Sequence, residues 1–215
     1  MNTRINKMFS ILALIFLIGS FLIVYILGRY YPGYNPYKQV MSVLGNKNSP
    51  VHRFYNIWLI FLGIIIINIG NNFYIKYKNV SKILSLIGTI AITINGIGGC
   101  ILSGIFIVNE IEGTVNIYSK IHGLSTSLGF MVLIFFPIII GLLYKNIGNI
   151  VLKNISIIIF IMNLIFFALY VLSEKEQFID TIIGNRGLWQ RILIGSAYMP
   201  LIIINIKNII KPNEW

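Results

Sequence analysis

Acidic residues are scarce in this sequence, which has six Asp and Glu against 17 Lys and Arg among 215 residues. Charged residues of both signs make up only 11% of the chain, whereas a soluble domain carries roughly a quarter. Hydrophobic residues make up 57%. This composition excludes a soluble core with a polar shell and indicates an all-α bundle of membrane-spanning helices.

Cysteine and histidine are also scarce. Cys100 is the single cysteine and lies in an apolar run, which excludes an intramolecular disulfide and a Cys-based zinc cluster. A catalytic zinc site needs about three His, Asp or Glu ligands. The available set is His52 and His122 with Glu110 or Asp180, and no H-x-x-x-H spacing supports it. We therefore expect no metal and no cofactor.

The basic excess gives a net charge of +11, but no Lys/Arg cluster occurs on a soluble surface that could hold a duplex. Nucleic acid is therefore not an expected partner. Attraction to anionic lipid headgroups is one explanation of the charge. A second explanation is a coding bias, because the chain is rich in Ile, Asn and Lys.

Six apolar segments are long enough to cross the roughly 30 Å hydrocarbon core of a bilayer. Met8 to Gly28 contains no charge over 21 residues, and no convincing signal-peptide cleavage site follows it, so we interpret it as the first span. We treat the chain as one transmembrane domain over 1–215. The predicted spans are 8–28, 55–74, 83–108, 122–144, 155–173 and 188–209.

An even number of spans places both termini on one side and the three longer loops, 29–54, 109–121 and 174–190, on the other. Nine Lys and Arg lie on the side of the termini and eight on the side of the loops. The two short turns on the side of the termini are basic and contain no acid. We therefore predict a multi-pass protein of the cell membrane with cytoplasmic termini.

The third span carries small and polar residues along one side. Gly88, Asn95, Gly99 and Ser103 recur at intervals of seven, four and four residues. Small residues at such spacing allow two helices to approach closely, and an embedded amide needs a partner. We interpret this face as a packing seam, with a ligand site as the alternative.

The first loop and its flanks contain the most distinctive motifs. The pattern YPGYNPYKQVMSVLG…SP…FYN is followed by GIF at 104–106, His122-Gly123 and GLWQR at 187–191. These ordered motifs resemble DUF998, a family of prokaryotic six-helix membrane proteins of unknown function, over nearly the whole chain. In that family, GIF is usually followed by Pro and Asp, whereas this chain has Ile107, Val108 and Asn109. The resemblance implies that Glu110 would be the substitute acid.

A fainter resemblance concerns only the first loop and the number of helices. Ser42, Gly45, Pro50 and the segment 54–56 (FYN) are similar to the S-x-x-G…P…F-x-N pattern of the eukaryotic autophagy-modulator and lipid-anchor-remodelling membrane family. That family is associated with lipid handling. The resemblance implies a lipid-related function.

The resulting hypothesis is a non-catalytic protein that binds a membrane lipid, including anionic phospholipid, or a membrane-protein partner through its outer loops. Arginine suits phosphate, and neighbouring tyrosines can cover the glycerol region. The expected headgroup contacts are Tyr34, His52, Arg53, His122 and Arg191, with Glu110 or Asp180 as counter-charges.

Three alternatives remain open. The same residues can simply snorkel and hold the loops together. A lipid-modifying hydrolase or transferase could use His52 and His122 with a carboxylate. A small-molecule transporter or pore is the third alternative, although no ionisable residue occurs in the centres of the spans.

Overall fold

The structure is a computed structural model that describes residues 3–108 and 116–210. These residues form six long helices and no strand. The helices are α1 (Thr3–Arg29), α2 (His52–Tyr77), α3 (Lys82–Ile105), α4 (Ile117–Asn146), α5 (Ile150–Leu172) and α6 (Arg186–Ile210). All six are long and apolar enough to cross a membrane, which confirms the predicted fold class.

The helices form a closed ring in chain order. Each helix packs on its neighbours in sequence, and α1 closes the ring against α6. Helix α4 also contacts α6, so the ring has no open centre on that side. Large apolar side chains remain exposed around the outside, as expected for helices that face lipid.

The end of the bundle nearest the chain termini is filled by aromatic side chains. Phe73 lies 4.9 Å from Tyr77 and 5.3 Å from Phe136 between ring centroids, and Tyr77 meets Tyr144 edge to face at 6.4 Å. All four side chains are buried. This end is therefore a packed core.

Most helix ends lie beyond the predicted spans, because a helix continues past the hydrocarbon core into the headgroup region. Two ends lie short of them: α3 ends at Ile105 and not at 108, because Phe106 leaves the helical conformation, and α5 ends at Leu172 and not at 173. The largest difference is in α4, which begins at Ile117 where 109–121 was expected to be a loop. The side chain of Asn116 accepts a hydrogen bond from the backbone N–H of Tyr118 and caps this helix. His122 consequently lies in the second turn of α4.

Helix α3 contains a π-helical segment, Asn95–Leu102, which the sequence analysis did not predict. Asn95 Nδ2 donates to the carbonyl oxygen of Gly129 in α4 at 3.3 Å, and Ser103 Oγ lies 2.6 Å from Thr126 Oγ1. A Cβ on Gly129 would lie 2.4 Å from the nitrogen of Gly99. Three of the four residues assigned to the packing seam thus face α4.

Gly88, the fourth residue of that set, lies two turns before the π-helical segment. A Cβ there would meet the ring of Phe73 at 2.5 Å and a methyl group of Ile139 at 3.3 Å. Gly88 is therefore at the junction of α3 with both α2 and α4.

The longer connections lie at one end of the bundle, which we call the loop face and which comprises 30–51, 106–108, 116 and 173–185 among the described residues. The first connection, which is the segment 30–51 between α1 and α2, contains a short 3₁₀ helix, Met41–Gly45. Asn56 Nδ2 donates to the carbonyl oxygen of Gly45 at 3.0 Å, and the backbone N–H of Met41 donates to Gln190 Oε1 at 2.7 Å. This helix is thereby held over the bundle by α2 and α6.

Candidate functional site

A groove of about 530 Å³ opens at the loop face between the end of α1, the turn 34–37 and the start of α6. We call it the interface groove. Phe21 and Val24 line its deeper part, one to two helical turns below Arg29. The polar side chains that line it are Tyr25, Arg29, Tyr34, Tyr37 and Arg191. The groove therefore combines two arginines and three tyrosines with an apolar floor.

Arg29 is the last residue of α1 and is exposed. Its guanidinium carbon lies 5.3 Å from the ring centroid of Tyr25, and it makes no ion pair with a described residue. A cation at the C-terminal end of a helix is favoured by the helix dipole. Arg29 thus presents a positive charge to the groove.

The guanidinium of Arg191 is held in place by hydrogen bonds to other groups of the protein. Its Nη1 donates to the carbonyl oxygens of Pro36, Gln39 and Gly187 at 2.6, 3.0 and 2.7 Å, and Nη2 donates to the hydroxyl of Tyr34. Burial raises the pKa of the Tyr34 phenol, although the neighbouring Arg191 acts in the opposite direction. The phenol therefore stays neutral at physiological pH. Arg191 fastens the first connection onto α6.

A second, smaller cavity of about 40 Å³ lies beneath the first connection, and we call it the central cavity. Its polar lining includes Ser42, Tyr55, Trp58, Cys100, His122 and Gln190. No described residue that lines it is Asp, Glu, Lys or Arg. The central cavity is therefore mainly apolar in its accessible surface, with several polar groups and no acidic or strongly basic side chain among its lining residues.

The imidazole of His122 has a defined orientation. Its Nδ1 lies 3.1 Å from the carbonyl oxygen of Ser103 and 3.0 Å from that of Phe106. Both carbonyls accept, so we assign the proton of the neutral ring to Nδ1. The other nitrogen, Nε2, keeps its lone pair and bonds with no other described residue.

The structure separates the remaining candidates from the interface groove. His52 opens α2 and its Nδ1 lies 2.7 Å from the carbonyl oxygen of Ser49. Arg53 and Asp180 are exposed, and neither makes an ion pair with a described residue. Glu110 lies outside the described residues. Of the five expected headgroup contacts, only Tyr34 and Arg191 touch each other.

Within 3–108 and 116–210, no three His, Cys, Asp or Glu side chains lie close enough together to hold a metal ion. The Nδ1 atoms of His52 and His122 face backbone carbonyls. Each of the two histidines is therefore oriented by the backbone through Nδ1.

Comparison with protein families decides the classification of the chain. The family described as "Protein of unknown function (DUF998)" matches residues 11–206. The chain belongs to DUF998. This match confirms the resemblance found in the sequence, and the fainter eukaryotic likeness stays a prediction. No curated protein and no solved structure gives a match.

The GLWQR motif of this DUF998 protein attaches the first connection to α6. Gln190 accepts from the backbone of Met41, and Arg191 donates to carbonyls of the first connection. A Cβ on Gly187 would lie 2.2 Å from the carbonyl oxygen of Gln39, so the loop backbone lies directly on this glycine. The motif thus has a structural explanation.

The other motifs shared with DUF998 meet at the same place. A Cβ on Gly45 would lie 2.5 Å from Asn56 Oδ1, and one on Gly104 would lie 2.7 Å from the carbonyl oxygen of Asn56. Phe106 of the GIF motif accepts from His122. Residues that are distant in sequence therefore converge beneath the first connection.

Sequence reasoning missed several residues of these two sites. The expected headgroup contacts did not include Arg29, and Tyr55 and Trp58 were not assigned a role. An arginine at the end of a span next to tyrosines is the signal that could have identified Arg29. Tyr55 lies in the FYN motif, which could have indicated it, whereas no comparable signal exists for Trp58 in an ordinary apolar helix.

Proposed function

We propose that this membrane protein binds an anionic phospholipid in the interface groove. The phosphate would contact Arg29, and the acyl chain would lie along Phe21 and Val24. The tyrosines beside Arg29 would cover the glycerol region. The observation that carries the proposal is the combination of an exposed arginine without an acidic partner among the described residues and an apolar floor directly below it.

The size and position of the groove support this assignment. Its volume of about 530 Å³ lies within the range of ordinary ligand sites. Arginine and tyrosine at the end of a span suit the headgroup level of a bilayer. Arg191 has a different role in this proposal, because the carbonyls of the first connection already occupy its Nη1. It shapes the groove and adds positive charge.

The proposal also includes an orientation. We infer that the protein resides in the cell membrane with its termini in the cytoplasm, so the groove faces the outer leaflet. The support is the basic, acid-free composition of the two short turns between the spans on the side of the termini.

The test compares two single substitutions, Arg29→Gln and Arg53→Gln. Each variant is purified in mild detergent with phosphatidylglycerol, and native mass spectrometry measures the retained lipid. Arg29→Gln should lower retention by roughly tenfold, which corresponds to about 1.4 kcal/mol for one charge-assisted contact.

Arg53→Gln is the matched control, because Arg53 is equally exposed and does not line the groove. It should retain phosphatidylglycerol like the unmodified protein. Equal losses in both variants would indicate general surface electrostatics, and a loss with Arg53→Gln alone would restore the contact expected from the sequence. Either result would overturn the assignment of Arg29.

A further inference from the structure

The central cavity contains polar groups without protein partners. Trp58 Nε1 is buried and has no hydrogen-bond partner. The hydroxyl of Tyr55 and Nε2 of His122 also bond with no other described residue, and these side chains are only 4% and 8% exposed. Unsatisfied polar groups buried inside a bundle are costly, because an apolar surrounding offers no hydrogen bonds. Such groups indicate that a polar occupant belongs in the cavity.

The hydrogen-bonding groups that line the central cavity indicate which kind of ligand it can bind. The indole N–H of Trp58 donates, His122 Nε2 accepts, and the Tyr55 hydroxyl can do either. No described lining residue is Asp, Glu, Lys or Arg, so a phosphate would find no counter-charge. An uncharged oxygen group, such as a hydroxyl or an ester, matches this lining.

A second groove adjoins the central cavity. This lateral groove of about 260 Å³ lies between α4, α5 and α6. Four residues line both spaces, namely Thr126, Phe130, Gln190 and Ile194. Met131, another residue of the lateral groove, is 46% exposed. The polar end of a lipid whose chain occupied the lateral groove would therefore lie next to the central cavity.

We propose that the central cavity is a second lipid site, which takes the uncharged hydroxyl-and-ester end of a diacylglycerol-type lipid. The acyl chain lies in the lateral groove, and the polar end bonds with Tyr55, Trp58 and His122. This site differs from the interface groove in its position, its lack of arginine and the charge of its ligand. It goes beyond the binding of anionic phospholipid proposed above.

Cys100 provides a reporter for this site, because it lines the central cavity and is the single cysteine of the chain. Its thiol is only 1% exposed, so a maleimide reaches it when the bundle opens locally at the cavity, and a lipid bound there should oppose this opening. The full chain is placed in phosphatidylcholine vesicles, and mass spectrometry follows its modification by N-ethylmaleimide. A minor fraction of dioleoylglycerol should slow this modification about fivefold, as expected when most sites are occupied. Phosphatidylglycerol at the same fraction should leave the rate unchanged.

The positional control moves the thiol out of the cavity to the lipid side of the same π-helical segment. In the double variant Cys100→Ala/Ile97→Cys, the thiol replaces a side chain that is 42% exposed. Its reaction rate should show no effect of dioleoylglycerol. Equal slowing at both positions would mean that dioleoylglycerol acts through the bilayer and not by occupying the cavity, which would overturn the proposal.

The control for binding removes one hydroxyl. Tyr55→Phe should keep the reactivity of Cys100 and lose most of the protection by dioleoylglycerol. Trp58→Phe is the second variant, because it can keep a ring stacked on Phe16 while it removes the indole N–H. Full protection in both variants, or equal protection by phosphatidylglycerol, would contradict a neutral-lipid site.

Discussion

Arg191 shows why the type of cation matters at a single position. Its Nη1 alone reaches three carbonyl oxygens, while Nη2 reaches Tyr34, and this uses the planar shape of the guanidinium. A lysine ammonium has one nitrogen and cannot occupy both positions. The residue was expected to contact a headgroup, and the structure places it where it holds the first connection.

We therefore predict that Arg191→Lys lowers the free energy of unfolding by about 1–3 kcal/mol, since several charge-assisted hydrogen bonds are lost. Thermal melting in one detergent, together with protease cleavage within 30–51, measures the effect. The control is Arg186→Lys, also in the first turns of α6, whose ion pair with Glu174 joins side chains that are 41% and 50% exposed. This control should cost less than about 1 kcal/mol. Equal melting temperatures for the two variants would contradict the role assigned to Arg191.

At the scale of the elements, the α3–α4 contact depends on backbone approach rather than on large side chains. Gly98 lies against Ser125 of α4 and Gly99 against Gly129, so close that a Cβ added to Gly98 or to Gly129 would collide with backbone atoms of the other helix. The interval of small residues indicated a packing face in advance. The π-helical segment itself was not predictable, because its hydrogen bonds depend on how α3 fits between α2 and α4.

Gly129→Ala should lower the melting temperature, because its Cβ would lie 2.4 Å from the backbone nitrogen of Gly99. A cost of about 1–3 kcal/mol is typical of overpacking. The matched control in the same helix is Gly123→Ala, where nothing lies within 4 Å of the added Cβ. That substitution should be neutral or slightly stabilising, by up to about 1 kcal/mol. A loss of stability in both variants would show that glycine matters here for helix flexibility instead of close packing.

At the scale of the whole molecule, the loop face gathers the motifs that are spread along the sequence. Parts of 30–51, the end of α3, the start of α4 and the start of α6 contact one another there. Both proposed lipid sites lie beneath or beside the first connection. The function proposed for the protein therefore depends on which side of the membrane this face occupies.

A labelling experiment measures this orientation. In a Cys100→Ala background, Lys47→Cys places a thiol on the loop face and Lys78→Cys places one on the opposite end, and both positions are exposed. A membrane-impermeant maleimide added to intact cells should modify the thiol at 47 and not the thiol at 78. Permeabilised cells serve as the control, in which both should react. The reverse pattern would place the interface groove in the inner leaflet.

The sequence by itself determined the six spans and the fold class, because each span must satisfy its own backbone hydrogen bonds within one continuous apolar segment. The segment lengths are local properties and could be read directly. The first loop, GIF, His122-Gly123 and the GLWQR motif were recognisable in the sequence and indicated the family, and the small-residue face indicated a packing seam.

Only the tertiary structure decided which of these residues share a site. Arg29 and Arg191 line one groove although 162 positions separate them, because α1 closes the ring against α6. Arg53 is excluded from that groove because no residue of α2 lines it. Helix adjacency and side-chain direction arise from packing between distant segments, and the local hydropathy that defines a span carries no information about them.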